Sequence, residues 1–117
     1  MFCIVKLSGD LVVGTVVQYD TVNAQWTTAT SHSDMIGVVN GAPKQSEEDQ
    51  SWWARVVFAG VAQALASQAI PDQGGELNVS NGKVFVDNTA DGCGIIAPLP
   101  RGQATRNAND LVMVHLR

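Results

Sequence analysis

Apolar positions in this chain recur with a period of two in short runs, and Gly, Pro, Asn or Asp breaks them about every ten residues. The run with the most apolar bulk is Ser51 to Ala66, SWWARVVFAGVAQALA. There one parity, Trp52, Ala54, Val56 and Phe58, is wholly apolar, as the core-facing side of a strand requires. The other parity carries Trp53, Arg55 and Val57, which the pleat turns outward. Beyond Gly60 the positions Val61, Ala62, Leu65, Ala66 and Ala69 also fit a helical stripe. Strand is the better reading, because valines crowd the start, no Ser, Thr, Asp or Asn caps a helix, and Gly60 would fall in its first turn.

The same pattern predicts strands on either side. Phe2 to Leu7 is stopped by Ser8-Gly9-Asp10, and Leu11 to Tyr19 contains Gly14 as a bulge or a point of close backbone approach. Gln25 to Ala29 and Met35 to Val39 follow, then Lys44 to Gln50 (KQSEEDQ), an acidic exposed loop and the expected mobile segment. Ile70 to Gly75 is a turn, since Pro71 cannot continue a helix. Asn81-Gly82, set between Leu77-Asn78-Val79-Ser80 and Lys83-Val84-Phe85-Val86, is the strongest local signal, for a type I′ hairpin. Cys93 to Ala97 reads as a buried strand and Leu111 to Leu116 as a closing one. A weak echo links Gly9-Asp10-Leu11 through Ile36-Gly37-Val38-Val39 with Gly75-Glu76-Leu77 through Gly94-Ile95-Ile96, as if two halves entered one barrel.

Composition narrows the class. In 117 residues there are sixteen valines and eleven glycines, which points to a single all-β domain spanning 1–117, a small sandwich or barrel of short antiparallel strands with at most one short helix, within Val61 to Ile70. A net charge of −4 gives no electrostatic footprint for nucleic acid or an anionic membrane, and no apolar run is long enough for a membrane span. The start, MFCIVKLSGD, is too short and too charged for a signal core, so synthesis and folding in a cytoplasm are expected. Cys3 and Cys93 then read as packed free thiols, and two lone Cys with two lone His make no metal site at usual spacings.

No catalytic constellation emerges. His32 lies in Ser31-His32-Ser33-Asp34, but triad members converge from separate parts of a fold, so a solvated loop histidine is the better reading. His115 alternates with Val114 and Leu116 and should face away from them. Glu47, Glu48 and Asp49 form a solvated charge run, and Gly74-Gly75 and Gly92-Cys93-Gly94 lack the lysine and helix of a phosphate cradle. No cofactor is indicated, and the expectation is a protein that is not an enzyme.

The succession Gly9-Asp10-Leu11 with Gly14, Trp26 to Ala29, Ile36-Gly37-Val38-Val39, Val57 to Ala62, Gly75-Glu76-Leu77, Gly82-Lys83-Val84, Gly94-Ile95-Ile96 and Leu111-Val112-Met113-Val114 resembles small bacteriophage capsid decoration (cement) proteins. The resemblance covers most of the chain and rests on glycine punctuation of strands. It implies a barrel or β-tulip fold, a homotrimer on the outside of the virion, the major capsid protein as partner, and a role in stabilising the shell. The alternatives are a receptor- or carbohydrate-binding β-domain of a phage head or tail fibre, from which the lack of any stalk or repeat points away, and a small enzyme of unknown chemistry. Tandem apolar pairs such as Val12-Val13, Val16-Val17, Val38-Val39 and Val56-Val57 point both ways along their strands, and sister subunits are the expected cover for the second face. Trp53, Arg55 and Val57 are accordingly the expected contact residues, with Arg55 stacking on the indole or pairing with a neighbour's carboxylate.

Overall fold

A computed structural model describes residues 2–30, 36–70, 77–86 and 108–116. Among them the chain is all-β with no helix. The strands are β1 (Phe2–Leu7), β2 (Val16–Asp20), β3 (Gln25–Thr28), β4 (Ile36–Val39), β5 (Lys44–Gln45), β6 (Trp52–Val57), β7 (Gly60–Leu65), β8 (Leu77–Ser80), β9 (Lys83–Val86) and β10 (Leu111–Leu116). Five of them, in the order β1-β3-β2-β4-β6, close into a barrel, because β6 pairs back onto β1 over its whole length, from Phe2↔Val57 to Leu7↔Trp52. The ring is antiparallel except at β1–β3, a parallel pairing through Leu7↔Trp26. Two small sheets, β7–β10 and β8–β9, make a second layer.

The tandem valines explain how the layers meet. Val17, Val39 and Val56 point into the barrel with Leu7 and Ala54. Their neighbours Val16, Val38 and Val57 form a row across β2, β4 and β6, registered Val16↔Val38 and Val38↔Val57, and face outward. That row is buried beneath the second layer, in a core shared with Leu77, Val79, Val84 and the inner positions of β7 and β10. Each fully buried valine side chain contributes about 1.5 kcal/mol or more. The cover expected from sister subunits is therefore intramolecular at these three pairs. Val57, expected outward as a contact residue, is corrected: it is only 7% exposed and belongs to this outer core.

The segment from Ser51 to Ala66 is two strands and not one. β6 belongs to the barrel and β7 to the second layer, and the chain changes layer through Phe58, Ala59 and Gly60, the last at φ +92°. The strand reading of Val61 to Leu65 holds, with Ala62 and Ala64 inward opposite Val114 and Val112. Small against large lets the ribbon lie close to the barrel wall.

Residues 11–15 are not strand. Thr15 N–H donates to Val12 O in a turn, and Val12 and Val13 are exposed. Gly14, at φ +95°, sits where a Cβ would lie 2.7 Å from Leu111 Cδ2, so the close approach expected there is between layers.

The Asn81-Gly82 hairpin forms in the expected register, Ser80↔Lys83, with both turn residues at positive φ. It does not enter the barrel as the internal echo suggested. Its turn docks on the barrel instead: Val16 N–H donates to Gly82 O (2.8 Å) and Gly82 N–H to Ala29 O (2.7 Å). Met35, Pro71 to Glu76, Cys93 to Ala97 and most of the loop containing His32 lie outside the described residues.

Candidate functional site

The outer side of β6 splits where the second layer ends. Val57 is covered, whereas Arg55 and Trp53 are exposed, Trp53 at 41%. Strand pairing decides their surroundings. Trp53 is registered with Lys6 of β1 on one side and Lys44 of β5 on the other, and Arg55 is registered with Ile4. The face thus has a cross-strand row Lys6–Trp53–Lys44 beside a second row, Ile4–Arg55. Ile4, Lys44, Trp53 and Arg55 line a depression of about 440 Å³, walled on one side by Gly41 and Ala42. Three of the chain's seven cationic residues stand on this face of a protein whose net charge is −4.

The indole is held in place from one edge. Trp53 Nε1–H donates to Ser51 Oγ (2.8 Å), and Ser51 Oγ–H donates to Asp49 Oδ1 (2.6 Å), which also accepts Ser51 N–H (3.1 Å). The Ser51 hydroxyl, then its amide, hold the Asp49 carboxyl below the usual range, with a smaller contribution from the charge of Lys6. The acidic segment carrying Asp49 is exposed, as expected, but it is not loop throughout, because Lys44–Gln45 pair with β6 as β5; hydrogen bonds close the rest: Ser46 N–H to Ser51 O (2.7 Å) and Gln50 N–H to Ser46 O (3.0 Å). Arg55 does not stack on the indole. Its guanidinium lies over the Phe2 ring, 4.6 Å from the centroid, which shields part of a phenyl group that is still 55% exposed.

Of the three expected contact residues, the structure brings Trp53 and Arg55 together at one depression and removes Val57. Lys6, Lys44 and Ile4 were not singled out, because they reach Trp53 and Arg55 only through the pairing of β1 and β5 with β6. The alternation of Phe2, Ile4 and Lys6 against Cys3, Val5 and Leu7 was the one available signal. Trp52 behaves as expected, half-buried against the barrel core, where Trp26 also packs on Phe58 with ring centroids 4.8 Å apart.

Cys3 is corrected: it is a free, exposed thiol and not a packed one. It shares the inward parity of Val5 and Leu7 but lies at the barrel mouth, and burial rises along β1 only towards Leu7. His115 is exposed between buried Val114 and Leu116, as the alternation required. It shares the outer face of β7–β10 with Val61 and Met113, a second exposed apolar surface. Among the described residues no three His, Cys, Asp or Glu side chains gather as a metal site, and no helix is long and apolar enough to cross a membrane. No protein-family model, curated protein or solved structure matches the chain.

Proposed function

We propose that this protein is a structural binding module that docks through the Trp53–Arg55 face onto a preassembled protein surface, and that this surface is the outside of a bacteriophage shell, which it stabilises as a decoration protein. The observation that carries docking is the exposed indole of Trp53, pinned by Ser51 and flanked by Lys6 and Lys44. A rigid aromatic with a neighbouring arginine is the composition of an interface hot spot. The cationic flanks favour a partner surface that presents carboxylates around an apolar side chain. The identity of the shell as partner, its major capsid protein as the contacted chain, and a homotrimeric state come from the sequence resemblance.

A protein that binds the assembled shell but not its dissociated subunits raises shell stability by mass action. Co-sedimentation of the purified protein with undecorated shells, followed by thermal disassembly of bare and saturated shells, tests both parts. Binding that Trp53→Ala abolishes, with a higher disassembly temperature for saturated shells, is the expected result. Failure to co-sediment removes the capsid reading; binding without a shift in melting removes the cement role alone.

A second reading, a carbohydrate-binding domain of a phage fibre, is favoured by the same feature, since an exposed indole lining a shallow depression is also a platform for a sugar ring. Quenching or enhancement of Trp53 fluorescence by neutral oligosaccharides, lost in Trp53→Ala, would select it.

A further inference from the structure

Two Asn-Gly steps occur in the described chain, Asn40-Gly41 and Asn81-Gly82, and the fold treats them differently. Glycine leaves the following amide nitrogen unhindered, so this dipeptide is the one most prone to attack its own asparagine side chain. At Asn81 the fold opposes the reaction. Gly82 is buried, its N–H is held by Ala29 O at 2.7 Å, and Thr28 and Thr15 methyl carbons crowd the glycine at 2.8 and 2.9 Å from where a Cβ would be. At Asn40 nothing comparable exists. Asn40 is exposed, its own N–H donates to Arg55 O (2.8 Å), and Gly41 N–H has no acceptor among the described residues. A Cβ on Gly41 would meet only Arg55 Cβ, at an ordinary 3.6 Å.

We infer that Asn40-Gly41 is a self-modification site, converting without any enzyme to aspartate and isoaspartate at the wall of the Trp53 depression. The deprotonated Gly41 nitrogen attacks Asn40 Cγ, the Cγ–Nδ2 bond breaks, and the side-chain amide departs as ammonia with the transferred proton. Water then opens the cyclic imide at either carbonyl, so the sum is amide plus water giving carboxylate plus ammonium, with no redox partner. The product carries a new negative charge where the chain leaves its hydrogen bond to Arg55. In the isoaspartyl form the Cβ of residue 40 enters the main chain, so the backbone is longer by a methylene just before Gly41, which moves one wall of the depression.

The test is incubation of the intact protein at mildly alkaline pH, with peptide mapping by mass spectrometry and an isoaspartate-specific methylation assay. Asn40 is expected to convert at least roughly fivefold faster than Asn81, the factor that one net hydrogen bond of about 1 kcal/mol to be broken imposes on a rate. Gly41→Ala, which fits without strain, should suppress conversion at residue 40 and leave Asn81 unchanged, and circular dichroism should report an unaltered fold. Conversion at Asn81 as fast as at Asn40, or an Asn40 rate that Gly41→Ala leaves unchanged, overturns the assignment. So does an Asn40 rate in the folded chain more than about tenfold below that of the free peptide Val-Val-Asn-Gly-Ala, because the fold would then protect both sites alike.

Discussion

Inside the barrel, Leu7, Val17, Val39, Ala54 and Val56 are enclosed by strands whose backbone pairing runs all the way round. The outer core has fifteen buried residues among those described, yet its own strands form two two-stranded sheets joined by one bridge, Ala66↔Val84. Continuous backbone pairing closes the first core; the second is held by side-chain packing and by a few separate backbone hydrogen bonds, such as Val16 N–H to Gly82 O and Ser67 N–H to Val84 O. The barrel interior is narrow, and Gly37 shows how narrow: a Cβ there would lie 2.5 Å from Val56 Cγ1 and 3.0 Å from Val57 O. The outer core is larger because it is built against the barrel's outside wall, which supplies Val16, Ile36, Val38 and Val57. A five-stranded ring of this size cannot enclose enough apolar surface by itself, so its wall serves as the floor of a second core. Stripping the outer layer would expose that row of aliphatic side chains, and the two regions should therefore unfold as one.

Matched truncations give the largest effect and the sharpest test of that unity. Leu7→Ala in the barrel and Leu77→Ala in the outer core should each cost about 2–5 kcal/mol. All three tryptophans lie on barrel strands, so Trp fluorescence reports the barrel while far-ultraviolet circular dichroism reports both layers. Coincident transitions are expected in both variants. A Leu77→Ala protein whose dichroism falls before its fluorescence would split the molecule into two cooperative units.

The two neighbouring tryptophans of β6 compare an inward with an outward position. Trp52→Ala should lower the melting temperature by removing about 2 kcal/mol or more of packing against the barrel core. Trp53→Ala should leave melting nearly unchanged and cost docking a hot-spot-sized amount, about 2 kcal/mol or more. Reversed outcomes would invert the assigned faces of β6.

Glycines in the two layers differ more gently. Gly82→Ala puts a methyl group against Thr28 and Thr15 at φ +77° and should destabilise by about 1–3 kcal/mol, loosening the hairpin from the barrel. Gly41→Ala meets no such obstacle and should be neutral or stabilise by about 0.4–1 kcal/mol through a less flexible unfolded chain. Equal losses in denaturant melts would show that the Asn81-Gly82 turn is not the joint between layers.

The smallest effect is electrostatic. Asp49 is held below the ordinary carboxylate range first by the Ser51 hydroxyl, and a group so lowered contributes stability above its unfolded value that fades as pH falls through the lowered one. Acid titration of stability below about pH 4 should therefore be slightly shallower in Asp49→Asn. The same variant should loosen the indole and raise the fluorescence anisotropy decay of Trp53; an unaltered Trp53 signal would mean that the Ser51–Asp49 relay does not restrain the ring.

Local patterns were legible wherever local physics decides the outcome. Phe2–Leu7, the Asn81-Gly82 hairpin and Leu111–Leu116 follow from period-two alternation and from the positive φ that a type I′ turn demands. The same alternation placed Trp53 and Arg55 outward and Trp52, Ala54 and Val56 inward. The tandem valines also announced that three strands have two apolar faces, but a strand carries no mark of what will cover its second face. Only the tertiary structure decided that β7–β10 and β8–β9 cover Val16, Val38 and Val57, because burial of an outward face depends on where a distant segment of the chain folds back. The turn at residues 11–15 was hidden for the same reason: its valines look strand-like, and the contact of Gly14 with Leu111 and Leu65 that shapes it is long-range. The depression, too, was half visible. Its aromatic and its arginine are two residues apart on β6, whereas Ile4 and Lys44 reach it, and Lys6 comes beside Trp53, through strand register, which hydrogen bonding between distant segments sets and no single run of residues encodes.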